Sequence, residues 1–194
     1  MSIEIVKQNI ADSISVKEKL LGDEIIINQL IDLASDCIKS LKKGGKIIFC
    51  GNGGSFADAQ HLSAEFTSRF LFDRPGLASI ALGTNSSSMT AIGNDYGYEN
   101  VFSREIESIA STNDVIIMIT TSGNSKNIIK ALEVTKKNNI STVVFTGQGN
   151  GKLNDEIITL NVPSKETARI QECHILMGHI ICGIVENEMF KNKA

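Results

Sequence analysis

Much of what would mark this chain for a specialised environment is missing. Its 194 residues carry a net charge of −3, which gives no general attraction to nucleic acid or to anionic membranes, although a local basic patch is compatible with it. No apolar stretch is long enough to span a bilayer. The opening Met1-Ser2-Ile3-Glu4-Ile5 lacks the basic-then-apolar layout of a secretory signal. The four cysteines, Cys37, Cys50, Cys173 and Cys182, form no C-x-x-C pair, so reduced thiols of a cytosolic protein are expected. There is no internal repeat, linker or low-complexity segment. The expectation is a soluble cytoplasmic protein with one domain over residues 1–194 and a sizeable core.

What the chain has is a regular alternation of elements. Ser2 to Leu21 sets Ile3, Val6, Ile10 and Ile14 at helical spacing, and Gly22 breaks the helix where Asp23 can cap the next. The second helix carries two adjacent apolar stripes, Leu30, Leu33, Cys37, Leu41 and Ile27, Ile31, Ala34, Ile38. A stripe that wide predicts burial on two sides, against the domain and against another subunit. Lys42-Lys43-Gly44-Gly45 closes it with favourable charge and a Gly cap, so residues 1–43 form an N-terminal helical pair. Strands are predicted at Lys46–Cys50, Leu77–Leu82, Asp114–Ile119, Thr142–Phe145 and Ile157–Val162. Helices are predicted at Phe56–Phe70, Phe102–Ala110, Ile128–Val134 and Thr167–Phe190. Asn85–Tyr98 reads as loop and short helix, and Gly147–Gly151 as a loop and no more. This order predicts an α/β fold, a parallel sheet flanked by helices on both faces, with ligands at the carboxyl ends of the strands.

Two Gly turns fall at those ends. Thr120-Thr121-Ser122-Gly123-Asn124-Ser125 lies between an apolar strand and a helix. The first amides of a helix have no intrahelical partner and carry partial positive charge, so four hydroxyls beside them make an anion site without Lys or Arg. An ordinary N-cap is the plainer explanation, but four hydroxyls around one Gly favour phosphate. Gly51-Asn52-Gly53-Gly54-Ser55 is not the G-x-G-x-x-G pattern of dinucleotide sites, because its third Gly is missing. It reads equally as a tight turn or as a loop whose amides approach a ligand.

His61 and Glu65 are four apart, on one helix face, where they can share a metal, act as an acid/base pair or be a surface pair. Asn94-Asp95 is ordinary turn material. The last helix is apolar nearly all round yet carries Gln171, Glu172, His174 and His179. Buried polar side chains need partners. Core hydrogen bonds are the usual explanation for such histidines, but all three histidines of the chain fall on two predicted helices and none in a predicted surface loop.

The run Gly-Asn-Gly-Gly-Ser55, His61-x-x-x-Glu65, Asn94-Asp95, Thr120 to Ser125, Arg169-Ile-Gln-Glu-x-His174 and His179 resembles, in that order and over nearly the whole chain, the phosphoheptose isomerase family of sugar isomerase (SIS) proteins. The resemblance implies a SIS-type, flavodoxin-like sandwich, a homotetramer and one zinc ion per subunit. It implies conversion of sedoheptulose 7-phosphate to D-glycero-D-manno-heptose 7-phosphate for activated heptose and surface polysaccharides such as lipopolysaccharide. Metal positions carry over to His61, Glu65, Gln171 and His179. Sugar-phosphate contacts carry over to Asn52, Gly53, Gly54, Glu65, Asn94, Asp95, Thr120, Thr121, Ser122, Ser125 and Gln171, and Ser55 of the first turn joins them as a candidate. Thr120 stands where the family often has Ser, and Ala168 where some members have Asp. The expected catalytic pair is Glu65 as base with His179 as acid/base partner. Gln171 and His179 are separated by roughly 12 Å along one helix, so a neighbouring subunit is expected to complete each site. The chain also resembles a non-catalytic SIS protein that binds a replication initiator, a reading that needs none of the four polar residues.

Overall fold

The computed structural model describes residues 2–153 and 157–191. The elements run α1 (Ile3–Leu21), α2 (Glu24–Lys42), β1 (Ile47–Gly51), α3 (Gly54–Thr67), β2 (Ser79–Ala81), α4 (Ser86–Tyr96), α5 (Val101–Ile109), β3 (Val115–Ile119), α6 (Lys126–Lys137), β4 (Ser141–Thr146), β5 (Ile158–Asn161) and α7 (Thr167–Phe190), with a short 3-10 turn at Tyr98–Asn100. Caps fall where the sequence places them. Asp23 accepts from the amides of Ile25 and Ile26, and Gly44, at φ +76°, ends α2 in the left-handed region that favours glycine.

All five strands are parallel in the order β2-β1-β3-β4-β5. Every residue of β1 and of β3 is buried, as expected of strands covered on both faces. Phe49, Ile117 and Phe145 face a core shared with α2, α3 and α7. Ile48, Ile116, Met118 and Val144 face a second core shared with α5 and α6. The four cysteines are buried and free, and burial pushes their thiols up. No helix among the described residues is long and apolar enough to cross a membrane.

Three local expectations need correction. Asn85–Tyr98 is mostly an eleven-residue helix, α4, capped by the Asn85 side chain on the Ser88 amide. Asn94 and Asp95 therefore lie on a helix rather than in a turn. The strand at Leu77–Leu82 shortens to Ser79–Ala81. The helix expected to run to Phe70 stops at Thr67, because the chain beyond it is captured by Glu186 of α7. Glu186 accepts from the amides of Phe70 and Leu71 at 2.8 and 2.7 Å and from Arg74 Nε at 2.9 Å. Arg74 in turn donates to the carbonyls of Glu65, Phe66 and Ser68. Both side chains are buried, at 2% and 1% exposure, yet every charge has hydrogen-bonding partners.

That clamp fixes the far end of α3 against α7. The two helices run parallel, since Gly54 meets Gln171, Leu62 meets Gly178 and Phe70 meets Gly183. At Gly178 any Cβ would collide with the Leu62 side chain, so the helices approach closely there. The helix α1 is held to α7 by Glu172, which accepts from Ser13 Oγ and pairs with Lys17 and Arg169.

Burial alone would raise the Glu186 carboxyl, but the two amides and the Arg74 guanidinium outweigh it and hold it below the ordinary carboxylate range. A depressed folded value stabilises the fold above the unfolded value, and that contribution is lost as the pH falls through the folded one. Glu186→Gln, which strands a buried Arg74, is expected to cost about 3–5 kcal/mol near neutral pH. The difference from the parent protein should shrink in acid. Denaturant titrations of both proteins across pH check this.

Candidate active site

Strands β1 and β3 are neighbours, with Gly51 opposite Ile119. The chain leaving β1 enters α3 on one face of the sheet, while the chain leaving β3 enters α6 on the other. Diverging connections at adjacent strands open a crevice at their carboxyl ends, the usual ligand position in such sheets. Both Gly turns lie there. Gly53, at φ +56°, leads straight into α3, and a Cβ at Gly54 would collide with the Gln171 amide. Ser55 is buried under this turn.

In the second turn Thr120 is buried, and its Oγ1 lies 3.4 Å from Ser125 Oγ. Ser122 is exposed, and its hydroxyl accepts from the Asn124 amide. Ser125 occupies the N-cap of α6 without a side-chain cap bond, so its hydroxyl and the first amides of the helix stay uncommitted to each other. The loop Gly147–Gly151 braces this turn: Gly147 N–H donates to Thr121 O and Lys152 N–H to Gly123 O. Gly123 (φ +63°) and Gly151 (φ +59°) interlock so closely that a Cβ on either would strike the other turn's backbone.

Further along the seam of α3 and α7, three side chains converge. His61 Nε2 lies 2.9 Å from His179 Nε2 and 3.2 Å from Glu65 Oε1. One ligand atom from each of the three lies within 4.8 Å of the others. Two imidazole nitrogens so close cannot both carry protons, but two lone pairs and a carboxylate can share a divalent cation. Two imidazoles and a carboxylate suit a borderline metal better than a hard one. Burial and the facing His61 push His179 below the ordinary histidine value, and Glu65 opposes them.

Residues 9–147 match the SIS domain family. Phosphoheptose isomerase 2 of Campylobacter jejuni is 53% identical over 186 residues, covering 95% of this chain and 92% of its own length. The solved structure of phosphoheptose isomerase from Neisseria gonorrhoeae matches with a TM-score of 0.85 and 40% identity, over 94% of this chain and 98% of that one. The phosphoheptose isomerase from Francisella tularensis matches with a TM-score of 0.89 and 32% identity, over 96% and 99%. The chain belongs to the phosphoheptose isomerase family of SIS-domain proteins.

Within this SIS fold the candidate residues separate into groups. Asn52, Gly53, Gly54 and Ser55 form one turn and Thr120, Thr121, Ser122 and Ser125 the other. His61, Glu65 and His179 meet within a single chain, so none of the three needs a neighbouring subunit. Gln171 lies apart from them, over Gly54. Asn94 and Asp95 are exposed on α4, where Asn94 Nδ2 donates to Asp95 Oδ1 at 2.8 Å. His174 is a core histidine: it is fully buried, bonds Thr146 O through Nε2, and is pushed down to about 4 chiefly by burial. Arg169 and Glu172 of the same motif hold α1.

The sequence reading missed Asn127 and Tyr98. Asn127 is buried and exchanges two amide bonds with Asn52, and Tyr98 Oη donates to Asn52 Oδ1. Asn127 lies two residues after Ser125 and sits in the first turn of α6, a signal that was available.

In metal-free protein the His179 imidazole is expected to titrate below the ordinary histidine range. His61→Ala, which removes one of the two depressing influences, should move it back up. Histidine NMR titrations of the two proteins decide, and an unmoved His179 would show that the rings do not interact.

Proposed function

We propose that this chain is an aldose–ketose isomerase that converts sedoheptulose 7-phosphate to D-glycero-D-manno-heptose 7-phosphate, opening the route to activated heptose for surface polysaccharides. The observation that carries the reading is the convergence of His61, Glu65 and His179 on the α3–α7 seam, whose α3 begins at the Gly turn of the sheet's switch point. Gly54 and His61 are seven residues apart, roughly 10 Å along α3. The open chain of a seven-carbon sugar phosphate has that order of length, so phosphate at the turns puts the carbonyl end near the trio. The turn Thr120–Ser125 and the amides after Gly53 bind the phosphate. Asn52, Asn94, Asp95 and Gln171 bind the sugar hydroxyls.

Isomerisation moves a proton between adjacent carbons through an enediol. Glu65 takes the carbon-bound proton and returns it to the neighbouring carbon. Its Oε1 faces His61, which leaves Oε2 for this transfer. His179, held below the ordinary histidine value, is neutral near pH 7 and serves the substrate oxygens by giving and taking a proton. His61, Glu65 and His179 would hold one Zn2+ per subunit, and Gln171, which lies over Gly54, would have to swing along α3 to become a fourth ligand. A Glu65 or His179 atom engaged by the ion would have to leave it before moving a proton. Bound zinc would supply a Lewis acid that polarises the carbonyl.

Residues 1–194 form one SIS domain in this reading, with residues 1–43 as a helical pair that joins copies into a homotetramer in the cytoplasm. The apolar face Ile3, Val6, Ile10 and Ile14 on α1 and Ile31 on α2 are more than half exposed in the single chain, which supports association. No feature of the site or of the relatives favours the non-catalytic replication-initiator-binding alternative.

Glu65→Gln is expected to leave a folded oligomer whose turnover of sedoheptulose 7-phosphate falls by at least ~100-fold. Near-normal turnover removes Glu65 from the mechanism. Ser122→Ala and Ser125→Ala should raise KM for the phosphorylated sugar, and unchanged KM in both would reduce the turn to a structural element.

A further inference from the structure

Three segments assigned to the substrate meet at one hydrogen-bonded node. Asn52, in the turn after β1, donates through Nδ2 to Asn127 Oδ1 at 2.9 Å. Asn127, in the first turn of α6, donates through Nδ2 to Asn52 Oδ1 at 2.8 Å. Tyr98 Oη, just beyond α4, donates to the same Asn52 Oδ1 at 2.9 Å. An amide oxygen has two lone pairs and an amide nitrogen two N–H groups. The node therefore fills both acceptor positions of Asn52 and one of its donors, leaving one N–H uncommitted. Asn127 is 3% exposed, so its amide depends on Asn52 for partners that water cannot replace.

The third arm of the node is held by surface contacts rather than by core burial: Arg104 of α5 stacks on the Tyr96 ring at 3.8 Å, and Asn100 Nδ2 donates to Tyr96 O at 2.6 Å. None of the eleven residues of α4 is buried, and Met89 and Ile92 only lean on the second core. Tyr98 itself is 55% exposed. Yet α4 carries Asn94 and Asp95 within four residues of Tyr98. A loosely packed helix has low local stability unless specific bonds tie it down.

We propose that Tyr98 is a positioning residue. Its hydroxyl ties the end of α4, with Asn94 and Asp95, to the turn after β1. It also holds the Asn52 amide so that its uncommitted N–H faces an oxygen of the sugar phosphate. The inference rests on the isomerase reading and adds a residue to it. Tyr98 acts through Asn52, and Asn127 anchors Asn52 to the helix that follows the phosphate turn.

Tyr98→Phe keeps the ring and removes the bond. KM for sedoheptulose 7-phosphate should rise roughly five-fold, the loss of about one hydrogen bond, with kcat changed less and the melting temperature unchanged. In an Asn52→Ala background the same substitution should change KM no further, because its target is gone. Amide hydrogen exchange along α4 should quicken in Tyr98→Phe alone, a readout that needs no second variant. Unchanged KM, unchanged α4 exchange, or an equal KM rise in both backgrounds each overturns the proposal, the last by making Tyr98 a direct substrate contact. A parent protein without turnover would instead overturn the isomerase reading. Equilibrium binding of sedoheptulose 7-phosphate to the same variants then decides the node by the same comparisons.

Discussion

The site depends on how closely α3 and α7 can run side by side. Gly178 permits the contact with Leu62, and Gly54 permits the Gln171 amide to lie over the start of α3. With both helices parallel, position 61 of one and position 179 of the other fall at the same depth. The imidazoles then meet at 2.9 Å, and Glu65, one turn on from His61, joins them. A larger side chain at position 178 would part the helices and separate the nitrogens. The Arg74–Glu186 clamp closes the seam at its other end, binding the carbonyl of Glu65 itself through Arg74. A buried ion pair is a costly way to hold a chain, and here its desolvation is offset by hydrogen bonds from backbone amides and to backbone carbonyls.

The strand-end side of the crevice is organised by a different means. Backbone meets backbone where the hydroxyl turn and the Gly147–Gly151 loop interlock, and side chains meet where Asn52 and Asn127 exchange amide bonds. The two strand ends that diverge to opposite faces are thereby tied across the crevice between them. A pocket built this way needs no charged side chain in the turn to favour an anion, since helix amides and hydroxyls provide the donors. The resulting division is of donors at the strand ends and of lone pairs and a carboxylate down the helix seam. A molecule with a phosphate at one end and a carbonyl at the other suits that arrangement.

Several individual residues changed meaning between sequence and structure. His174 and His179 look alike in the sequence, five apart on one apolar helix. One faces the sheet and bonds Thr146 O, and the other faces α3. Five residues is about 500° of helix rotation, so the two rings point in different directions by about 140°. Nothing local says which direction leads to the core. Arg169 and Glu172 stand in a motif with Gln171, yet they hold α1 in place. The Gly147–Gly151 loop looked like a connection and is a brace.

The sequence alone determined the order and type of the elements, because buried strands need continuous apolar runs and helix ends need caps, both local properties. It also determined the two Gly turns at strand ends and the pairing of His61 with Glu65 on one face. The length of α3 and the helix at Ser86–Tyr96 were not legible, since the first is set by Glu186 more than a hundred residues away and the second has little apolar pattern to announce it. Only the tertiary structure decided that His179 joins His61 and Glu65 within one chain, that Gln171 lies over Gly54, and that Tyr98 reaches Asn52. These are distances between residues far apart in the chain. They follow from which helices pack, at what spacing and in which direction, and local propensity carries no information about that.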